Sequence, residues 1–469
     1  MASINNQVRV LEICQVTSFS DSPDSATELS LPLTFFDTFW FKFPPTERIF
    51  FYQLTDATPA FFHSVILPKL KQSLSLTLLH FLPLAGKLTW PPHAAKPFIL
   101  YAPNNAIPIS IAESDADFHH LSDTIHEADE SHPYIPELPV SDSCADIISL
   151  QITLFPNQGF CIGISSHHAI LDGKSVTMFI RAWAHICKHS QNEKNPTLLP
   201  ELTPIFDRTM IQDPEGLDMV YLNNWLSIFK SIGFDGNPRT LKLLPAFNGL
   251  PANLVRGTFE LSREALKKLR QKVLSQLERV DPEQTKTIHL STFVLTLAYA
   301  VVSIVKAKGL ERNTKVVFAF TADCRARLEP PLPANYFGNC VSGYNDATEA
   351  EVLMEENGIA FVVQRLSKLI KGLEKGALEG AKNKLESFME KKPDSLEVIG
   401  VAGSPRFQVY ESDFGWGRPK MVEVTSIDRT GSISMAESKD ESGGVEIGIV
   451  LKQHEMEKFD SLFINGLKE

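Results

Sequence analysis

A hairpin that runs directly into a helix constrains the fold more than any other feature of the sequence. Residues 147–155 (IISLQITLF) and Phe160–Ser166 are apolar segments of strand length, and Pro156-Asn-Gln-Gly159 between them is typical of a hairpin turn. The spacing of the apolar residues that follow predicts an amphipathic helix over Ser175–His189. Two paired strands followed at once by a helix predict a mixed α/β fold rather than an all-helical or all-β one.

Strand and helix patterns recur on both sides of residues 190–250, a segment rich in Asn, Pro, Asp and Gly that we predict to be an irregular crossover. Ahead of the crossover, residues 31–43 are predicted to form one strand. A chain of 469 residues is also too long for one average domain. We therefore predict two mixed α/β domains of comparable size, 1–205 and 251–469, joined by a linker at 206–250.

The charge balance restricts the partners. The chain has 45 Lys and Arg against 56 Asp and Glu, a formal net charge of −11. A nucleic-acid-binding protein needs a basic surface for its phosphate contacts, so we predict no nucleic-acid partner. The charge is uneven, because residues 97–173 contain no Lys or Arg, whereas Arg263–Arg279 form a basic segment with a helical pattern. The uneven charge raises the question of where an anionic partner would bind.

The sequence contains no pattern typical of targeting or membrane insertion. The first fifteen residues lack the basic-then-apolar order of a secretory signal, and no apolar run approaches the ~18 residues that span a bilayer. The six Cys are scattered without a CxxC pair, which favours reduced thiols over a zinc ribbon or a disulfide framework. We expect a cytoplasmic monomer with no membrane partner.

Two adjacent histidines follow the hairpin, in the segment His167-His168-Ala-Ile-Leu-Asp172-Gly173. Histidine is the side chain whose ordinary pKa lets it accept a proton near neutral pH. A loop between a strand and a helix can carry such a base into a cleft, while Asp172 braces the turn and Gly173 permits a tight backbone. From this segment alone, a general base and two histidines held by local hydrogen bonds are both open.

Metal and nucleotide chemistry have weaker support. Adjacent side chains at a strand end point to opposite faces, so His167 and His168 are poorly placed to share one ion, and we predict no metal site. No GxGxxG follows a strand and no Walker A glycine precedes Gly173-Lys174-Ser175, which argues against NAD, FAD and nucleotide cofactors. We therefore expect no cofactor. The GxSxG of many hydrolases is also missing, which argues against an α/β-hydrolase.

Further segments accompany the His-x-x-x-Asp-Gly pattern. They include Tyr336-Phe-Gly-Asn-Cys340, Asp413-Phe-Gly-Trp-Gly417, residues 321–328 (TADCRARL) and LPLTFFDTFW near the start. Together these segments resemble the BAHD family of plant acyl-CoA-dependent acyltransferases, in the branch that acylates anthocyanins and other flavonoid glucosides. The resemblance covers essentially the whole chain. A kinase interpretation of the Asp-Phe-Gly tripeptide fails, because no kinase Gly-rich loop, HRD or APE accompanies it.

This resemblance implies two similar-sized α/β domains with mixed sheets, like chloramphenicol acetyltransferase, and a channel between them. Acyl-CoA would reach the channel from one side and the acceptor from the other. His168 would be the general base that takes the proton of an acceptor hydroxyl, which then attacks the thioester carbonyl and expels CoA. A thioester is already activated, so a positioned base and an oriented alcohol suffice.

The resemblance also implies roles for residues around this base. Asp172 would pair with Arg325 and so hold the loop of the base, with Gly173 in support. Asp413 belongs, with Trp416, to a segment that resembles a structural element beside the CoA channel. Asp172 and Asp413 both remain candidates for a direct catalytic role, although a structural role is favoured for each.

Cations and hydroxyls of the C-terminal part are the candidates for CoA binding. Arg270 matches a position where relatives have a basic residue near a CoA phosphate, and Ser291 and Thr292 begin the next predicted helix. Ser404 is a departure, because related branches that use hydroxycinnamoyl-CoA have a Trp there that can donate to the developing oxyanion. A hydroxyl or a backbone amide would have to replace that indole. We group Ser404 with the residues that face CoA.

The predicted acyl donor is malonyl-CoA, since HHAILDGK looks closest to anthocyanin 5-O-glucoside malonyltransferases. Lys174 is the candidate for the malonyl carboxylate, because an extra carboxylate favours a nearby cation. The predicted reaction is malonyl transfer to the 6-hydroxyl of a glucose on an anthocyanin or other flavonoid glucoside. The alternatives are a coumaroyl- or caffeoyl-CoA donor for the same glucosides, and a non-catalytic small-molecule binding protein of the same fold.

Overall fold

The computed structural model describes residues 8–19, 28–123, 125–190, 196–231, 236–243, 252–280, 282, 288–373, 376, 378–389, 396–440 and 442–466. The strands are β1 (Arg9–Thr17), β2 (Leu29–Pro32), β3 (Thr46–Gln53), β4 (Lys87–Thr89), β5 (Phe98–Tyr101), β6 (Ala106–Glu113), β7 (Ile125–Glu127), β8 (Cys144–Asp146), β9 (Ile148–Phe155), β10 (Gly159–Ser166), β11 (Leu254–Leu261), β12 (Lys315–Asp323), β13 (Val341–Glu349), β14 (Leu396–Ile399), β15 (Val401–Gly403), β16 (Met421–Val424), β17 (Ile433–Glu437) and β18 (Val445–Lys452).

The α-helices are α1 (Phe35–Phe39), α2 (Pro59–Phe61), α3 (Leu67–Leu78), α4 (Leu82–Ala85), α5 (Phe118–Leu121), α6 (Gly173–His189), α7 (Leu217–Ser231), α8 (Arg263–Val280), α9 (Thr292–Lys308), α10 (Ala350–Met354), α11 (Gly358–Gly372), α12 (Ala381–Met389) and α13 (Gln453–Asn465). A π-helical turn at Phe62–Ile66 joins α2 to α3. No helix among the described residues is both long and apolar enough to cross a membrane.

A six-stranded sheet in the order β1-β6-β9-β10-β3-β16 forms the frame of the N-terminal part. The hairpin predicted at residues 147–166 is present as β9 and β10, which pair antiparallel with Gly159 opposite Phe155. Both strands are buried along their whole length, which explains their nearly continuous apolar sequence. Strand β10 lies inside the sheet between β9 and β3, so the loop that follows it starts from a rigid, fully paired strand.

The two halves of the chain exchange strands. A five-stranded sheet in the order β15-β17-β18-β11-β7 forms the frame of the C-terminal part, yet its edge strand β7 comes from residues 125–127. In return, β16 of the C-terminal part pairs with β3 at the edge of the six-stranded sheet. Two smaller sheets, β13-β12-β14 and β2-β5-β4-β8, complete the described architecture. Of the two largest apolar cores, one consists mainly of residues from the N-terminal part and the other of residues from the C-terminal part.

The prediction of one strand over residues 31–43 is wrong. Strand β2 ends at Pro32, and α1 begins three residues later. Asp37 causes the change, because its carboxylate accepts hydrogen bonds from the backbone N–H and the hydroxyl of Thr34, both at 2.8 Å. This is a capping box, a helix-start signal within an apolar run that could equally have formed a strand.

The prediction of an irregular crossover at residues 190–250 is wrong over α7. This helix packs its apolar side against the N-terminal core, where Trp225 is fully buried and its indole N–H donates to the carbonyl oxygen of Thr38 at 3.0 Å. Residues 232–235 and 244–250 of the predicted linker lie outside the described residues. The domain boundaries at 205 and 251 stay a prediction.

Candidate active site

Residues 167–172, called here the His168 loop, connect β10 to α6. The backbone N–H of His167 donates to the carbonyl oxygen of Ile147 at 2.8 Å, and the N–H of Ile170 donates to the carbonyl oxygen of His167 at 2.9 Å. The loop therefore turns within a few residues of a buried strand, which gives its side chains little freedom to move.

His168 lies between aromatic rings and lines a large cavity. Its imidazole stacks on the indole of Trp40, with 4.5 Å between the ring centroids and 6° between the ring planes, and Phe43 approaches edge-on at 6.0 Å. Burial lowers the pKa of His168 to about 4, although its own backbone carbonyl and the charge of Asp172 act in the opposite direction. The ring is therefore neutral at pH 7 and has a lone pair with which to accept a proton.

His167 has a different environment, as its adjacent position on the strand end predicts. Its side chain is buried away from the cavity, and its Nδ1 accepts a hydrogen bond from the N–H of Ala169 at 3.2 Å. Burial lowers the pKa of His167 to about 3. In the described part of the chain, no group of three or more His, Cys, Asp or Glu could hold a metal ion.

Asp172 is held on three sides and has the partner that the resemblance implied. Its Oδ2 accepts hydrogen bonds from Arg325 Nη2 at 2.8 Å and from the backbone N–H of Cys340 at 3.1 Å. Its Oδ1 caps α6 by accepting from the N–H of Ser175 at 2.8 Å. The carboxylate thus ties the end of the His168 loop to two other segments, and we regard it as a positioning group.

Arg325 connects the Tyr336–Cys340 segment to the His168 loop. Its Nε donates to the carbonyl oxygen of Tyr336 at 3.0 Å, and its Nη2 donates to the carbonyl oxygen of Gly338 at 2.9 Å. Burial lowers the pKa of Arg325, but the charges of Asp172 and Asp323 outweigh it and raise the pKa above its ordinary value. A permanently charged guanidinium therefore joins the two sequence segments in the interior.

Two residues that the sequence analysis did not single out complete this support. Asn339 Nδ2 donates to the carbonyl oxygen of His168 at 2.8 Å and to Asp37 Oδ1 at 3.3 Å. Asp37 comes from the LPLTFFDTFW segment and Asn339 from the Tyr336–Cys340 segment. The sequence contained a sign of this role, because each of the two is a polar residue within an otherwise apolar segment. The sequence alone did not show which groups they would contact.

Gly173 lies in a tightly packed position and does not use the backbone freedom that the sequence analysis assigned to it. It begins α6 without a positive φ. A Cβ at this position would lie 3.0 Å from the Phe407 ring and 3.1 Å from Arg48 Nη2. The missing side chain therefore leaves room for an arginine and an aromatic ring at the start of the helix.

The structure does not bring Asp413 into the cavity. Its Oδ1 accepts hydrogen bonds from the N–H groups of Gly415 at 2.8 Å and Gly417 at 2.9 Å, and its Oδ2 pairs with Lys188 at 2.7 Å. Trp416 of the same loop packs edge-on against Phe160 at 6.0 Å. Both oxygens hold a surface loop, which supports the structural role that the sequence analysis favoured for Asp413.

A cavity of about 2120 Å³ lies between the two halves and is lined by residues of both. The CoA candidates Arg270, Ser291, Thr292 and Ser404 all line it, as do His168 and Asp172. Ser291 caps α9 through its Oγ, which accepts from the N–H of Val294 at 3.3 Å. The hydroxyl of Ser404 accepts from the N–H of Arg406 at 3.3 Å, so its proton is free to donate elsewhere.

The cations that line this cavity are unevenly distributed. They are Arg48 and Lys174 from the N-terminal part, and Arg270, Lys315, Arg325, Arg327, Lys384, Arg406 and Arg429 from the C-terminal part. Of the basic run on α8, Arg270 reaches the cavity, whereas Arg263, Lys267, Lys268 and Lys272 do not line it. A ligand with several phosphates would therefore meet most of its counter-charges on the C-terminal side.

Lys174 lines the cavity, but it already has a partner. Its Nζ lies 3.1 Å from Asp323 Oδ2, and Asp323 Oδ1 in turn pairs with Arg325 at 3.0 Å. The charges of Arg325 and Lys174 hold the pKa of Asp323 below its usual value despite its burial. Lys174 is thus neutralised by a permanent carboxylate, which weakens its candidacy for the malonyl group.

Known proteins resemble this chain over nearly its full length. The profile of the Transferase family matches residues 15–464. Phenolic glucoside malonyltransferase 1 of Arabidopsis thaliana is 43% identical over 474 residues, which cover 99% of each chain. A malonyl-CoA:anthocyanidin 5-O-glucoside-6''-O-malonyltransferase of the same plant is also 43% identical, over 479 residues that cover 100% of each chain.

A solved structure shows the same fold at lower sequence similarity. The crystal structure of vinorine synthase superimposes with a TM-score of 0.68 and 19% sequence identity, and the match covers 98% of each chain. The arrangement of mixed sheets and flanking helices is therefore shared with a protein whose sequence has largely diverged from this one.

Proposed function

This chain belongs to the Transferase family, the acyl-CoA-dependent BAHD acyltransferases, and on that premise we propose that it transfers a malonyl group from malonyl-CoA to the 6-hydroxyl of a glucose on an anthocyanin or other flavonoid glucoside. Two relatives that match it end to end at 43% identity are named as malonyltransferases of glucosides. The observation that carries the proposal is a neutral histidine in a cavity lined by both halves of the chain.

His168 acts as the general base in this proposal. It takes the proton of the sugar hydroxyl while the oxygen attacks the carbonyl carbon of the thioester. The tetrahedral intermediate collapses as the carbon–sulfur bond breaks, and the imidazolium returns the proton to the departing thiolate. The products are the malonyl ester of the glucoside and free CoA. Because the thioester is already activated, a positioned base and an oriented alcohol account for catalysis.

The remaining site residues support this step by position. Asp172 and Arg325 hold the His168 loop, and Asn339 holds the carbonyl oxygen of His168 itself. The free hydroxyl proton of Ser404 is our candidate donor to the developing oxyanion, in place of the indole of related branches. The phosphates of CoA lie against the C-terminal cations, with Arg270 among them.

One chain supplies all of these residues, so we propose that the protein acts as a monomer, and we place it in the cytoplasm, where malonyl-CoA is available to it. A panel of acyl donors and glucoside acceptors, incubated with the purified protein and read by product mass, tests the proposed function. We expect a mass increase of one malonyl group on a flavonoid glucoside. Exclusive use of a coumaroyl or caffeoyl donor would overturn the malonyl assignment, and turnover of no donor would favour a binding protein.

A further inference from the structure

Arg48 is a buried cation that the proposed mechanism does not use. It lies on β3, directly opposite Ile164 of β10, so it is carried by the strand next to the one that leads to His168. Only 6% of its surface is exposed, yet it lines the cavity. Burial lowers the pKa of Arg48 to about 10, while the charges of Glu437 and Asp172 act in the opposite direction. The guanidinium therefore stays charged at pH 7.

The guanidinium of Arg48 is held in one orientation at the start of α6. Its Nη1 donates to the hydroxyl oxygen of Thr177 at 2.6 Å, and that hydroxyl donates to the carbonyl oxygen of Gly173 at 2.7 Å. The ring of Phe407 lies 5.9 Å from its central carbon, within cation–π distance. Gly173 leaves the space that Nη2 occupies. A pre-organised guanidinium loses little freedom when it binds an anion.

Among the described cations that line the cavity, Arg48 and Arg325 are buried, and Arg48 differs from Arg325 in having no paired carboxylate. Arg325 pairs with Asp172 and Asp323, Lys174 pairs with Asp323, and Arg429 pairs with Glu47. Within the described ranges, no carboxylate oxygen lies within 4.0 Å of Arg48, and its hydrogen-bond acceptor is neutral. A buried charge without a counter-charge is costly unless a ligand supplies one.

Glu437 is the acidic group whose charge acts most strongly on Arg48, but it is already engaged elsewhere. Its Oε1 accepts from the backbone N–H of Tyr410 at 2.9 Å, and its Oε2 accepts from the N–H of Gln408 at 3.1 Å. Burial also raises the pKa of Glu437. The carboxylate of Glu437 lines the same cavity as Arg48, but both of its oxygens are held by backbone N–H groups of another loop.

We propose that Arg48 binds the free carboxylate of the acyl group and thereby makes the enzyme specific for a dicarboxylic acyl-CoA. The inference rests on the proposed malonyl transfer, and it assigns to Arg48 the task that the sequence analysis gave to Lys174. The guanidinium lies beside Gly173, which directly follows the His168 loop, and Arg48 lines the same cavity as His168. The planar fork can contact both carboxylate oxygens, and the N-terminus of the 17-residue helix α6 favours the same charge.

The test compares malonyl-CoA with acetyl-CoA in the full-length protein, for the wild type and for Arg48→Met, Arg48→Lys and the control Lys174→Met. Arg48→Met should lower kcat/KM for malonyl-CoA by about 100-fold and change kcat/KM for acetyl-CoA by less than about 3-fold, because the acetyl methyl group has no use for a cation. Arg48→Lys should recover part of the loss. Lys174→Met should change both donors by the same factor.

An equal loss for both donors in Arg48→Met would show that Arg48 is only structural and would overturn the inference, as would a selective malonyl loss in Lys174→Met alone. If Arg48→Met folds poorly, Arg48→Lys provides the test instead. Lysine keeps the charge but lacks the planar fork, so this variant must still prefer malonyl-CoA over acetyl-CoA less than the wild type does. The wild-type measurement separates the two proposals. A wild type that prefers acetyl-CoA or an aromatic donor refutes malonyl transfer itself, whereas an unchanged donor ratio in the Arg48 variants refutes only the role of Arg48.

Discussion

The His168 loop and residues 413–417, called here the Asp413 loop, both rely on an aspartate that accepts backbone N–H groups, but the surroundings of the two carboxylates differ. Asp172 has a side chain that is 2% exposed and pairs with an arginine that is equally buried. Asp413 is 21% exposed, and its partner Lys188 is 50% exposed. An aspartate that accepts backbone N–H groups therefore holds the His168 loop in the interior and the Asp413 loop at the surface.

The difference in burial decides what each carboxylate is worth. In the interior, water cannot replace a missing partner, so the loss of one charge leaves the other uncompensated. At the surface, water and salt screen the pair, and it contributes little. We infer that two equally recognisable sequence motifs can contribute very different amounts to the free energy of unfolding. The following variants test this contrast, in order of expected effect.

The largest effect should come from the side chain that the inner loop carries. His168→Ala removes the proposed base and should lower kcat by about 1000-fold or more, since a positioned base contributes 10²- to 10⁴-fold. Malonyl transfer is measured by product mass, and circular dichroism reports the fold. His454→Ala, an exposed histidine on α13, is the matched control and should leave activity unchanged. Retained turnover in His168→Ala would refute the assignment of the base.

Asp172→Asn should come next, because it keeps the shape of the side chain and removes its charge. Arg325 would then be buried without its main counter-charge, which costs about 3–5 kcal/mol in comparable pairs. We expect a lower free energy of unfolding in urea and a lower kcat, as the His168 loop loses its anchor. Asp323 is the other partner of Arg325, and its side chain is 40% exposed. Asp323→Asn should therefore lower the free energy of unfolding by less than Asp172→Asn does. Equal losses of stability in the two variants would show that the buried Asp172–Arg325 pair stabilises the protein no more than the Asp323–Arg325 pair does.

Asp413→Asn should have a small effect. An exposed ion pair contributes about 0–1 kcal/mol, and the amide oxygen of Asn can still accept from the N–H groups of Gly415 and Gly417. We expect kcat within about 2-fold of the wild type and a slight decrease in the midpoint of urea unfolding. A large loss of kcat with unchanged stability would return Asp413 to the list of catalytic candidates.

The smallest effect that we expect is that of pH on kcat/KM near neutral pH. A base works in its neutral form, and burial lowers the pKa of His168 to about 4, so protonation removes half of the activity at about that pH and little of it near neutral pH. The ratio kcat/KM should be flat between about pH 6 and 8 and should fall as the pH approaches 4. Asp413→Asn should give the same profile. An inflection near 6.5 would mean that the imidazole of His168 is solvated like a free histidine.

The family, the mixed α/β fold and the segments around the site could be predicted because they depend on local patterns. The hairpin and α6 follow from a turn and from helical spacing within one segment. The prediction failed at α1, where the run Phe35–Phe39 is apolar enough for a strand and the capping box of Thr34 and Asp37 decides the outcome. It also failed at α7, whose Asn and Asp residues concealed a helix that tertiary packing stabilises.

Contacts between distant segments could not be predicted. The sequence gives no sign that β3 pairs with β16, or that Arg48 lies beside Gly173 and Phe407. A charged pair, Glu47-Arg48, before the apolar residues Ile49–Tyr52 was the available clue. On a strand, one of these two side chains normally faces solvent. Both are buried here, because residues of the C-terminal part cover this end of β3.

The exchange of strands between the two halves has a consequence for how the chain is made. Strand β3 is complete at residue 53, but its neighbour β16 lies more than 350 residues later. During synthesis, this edge of β3 therefore stays unpaired until almost the entire chain has been made. An unpaired, apolar edge is a template for misassociation, and such distant pairing slows folding. A ribosome-bound chain that stops before β16 would thus depend on chaperones, and separately expressed halves would each lack a strand that only the other can supply.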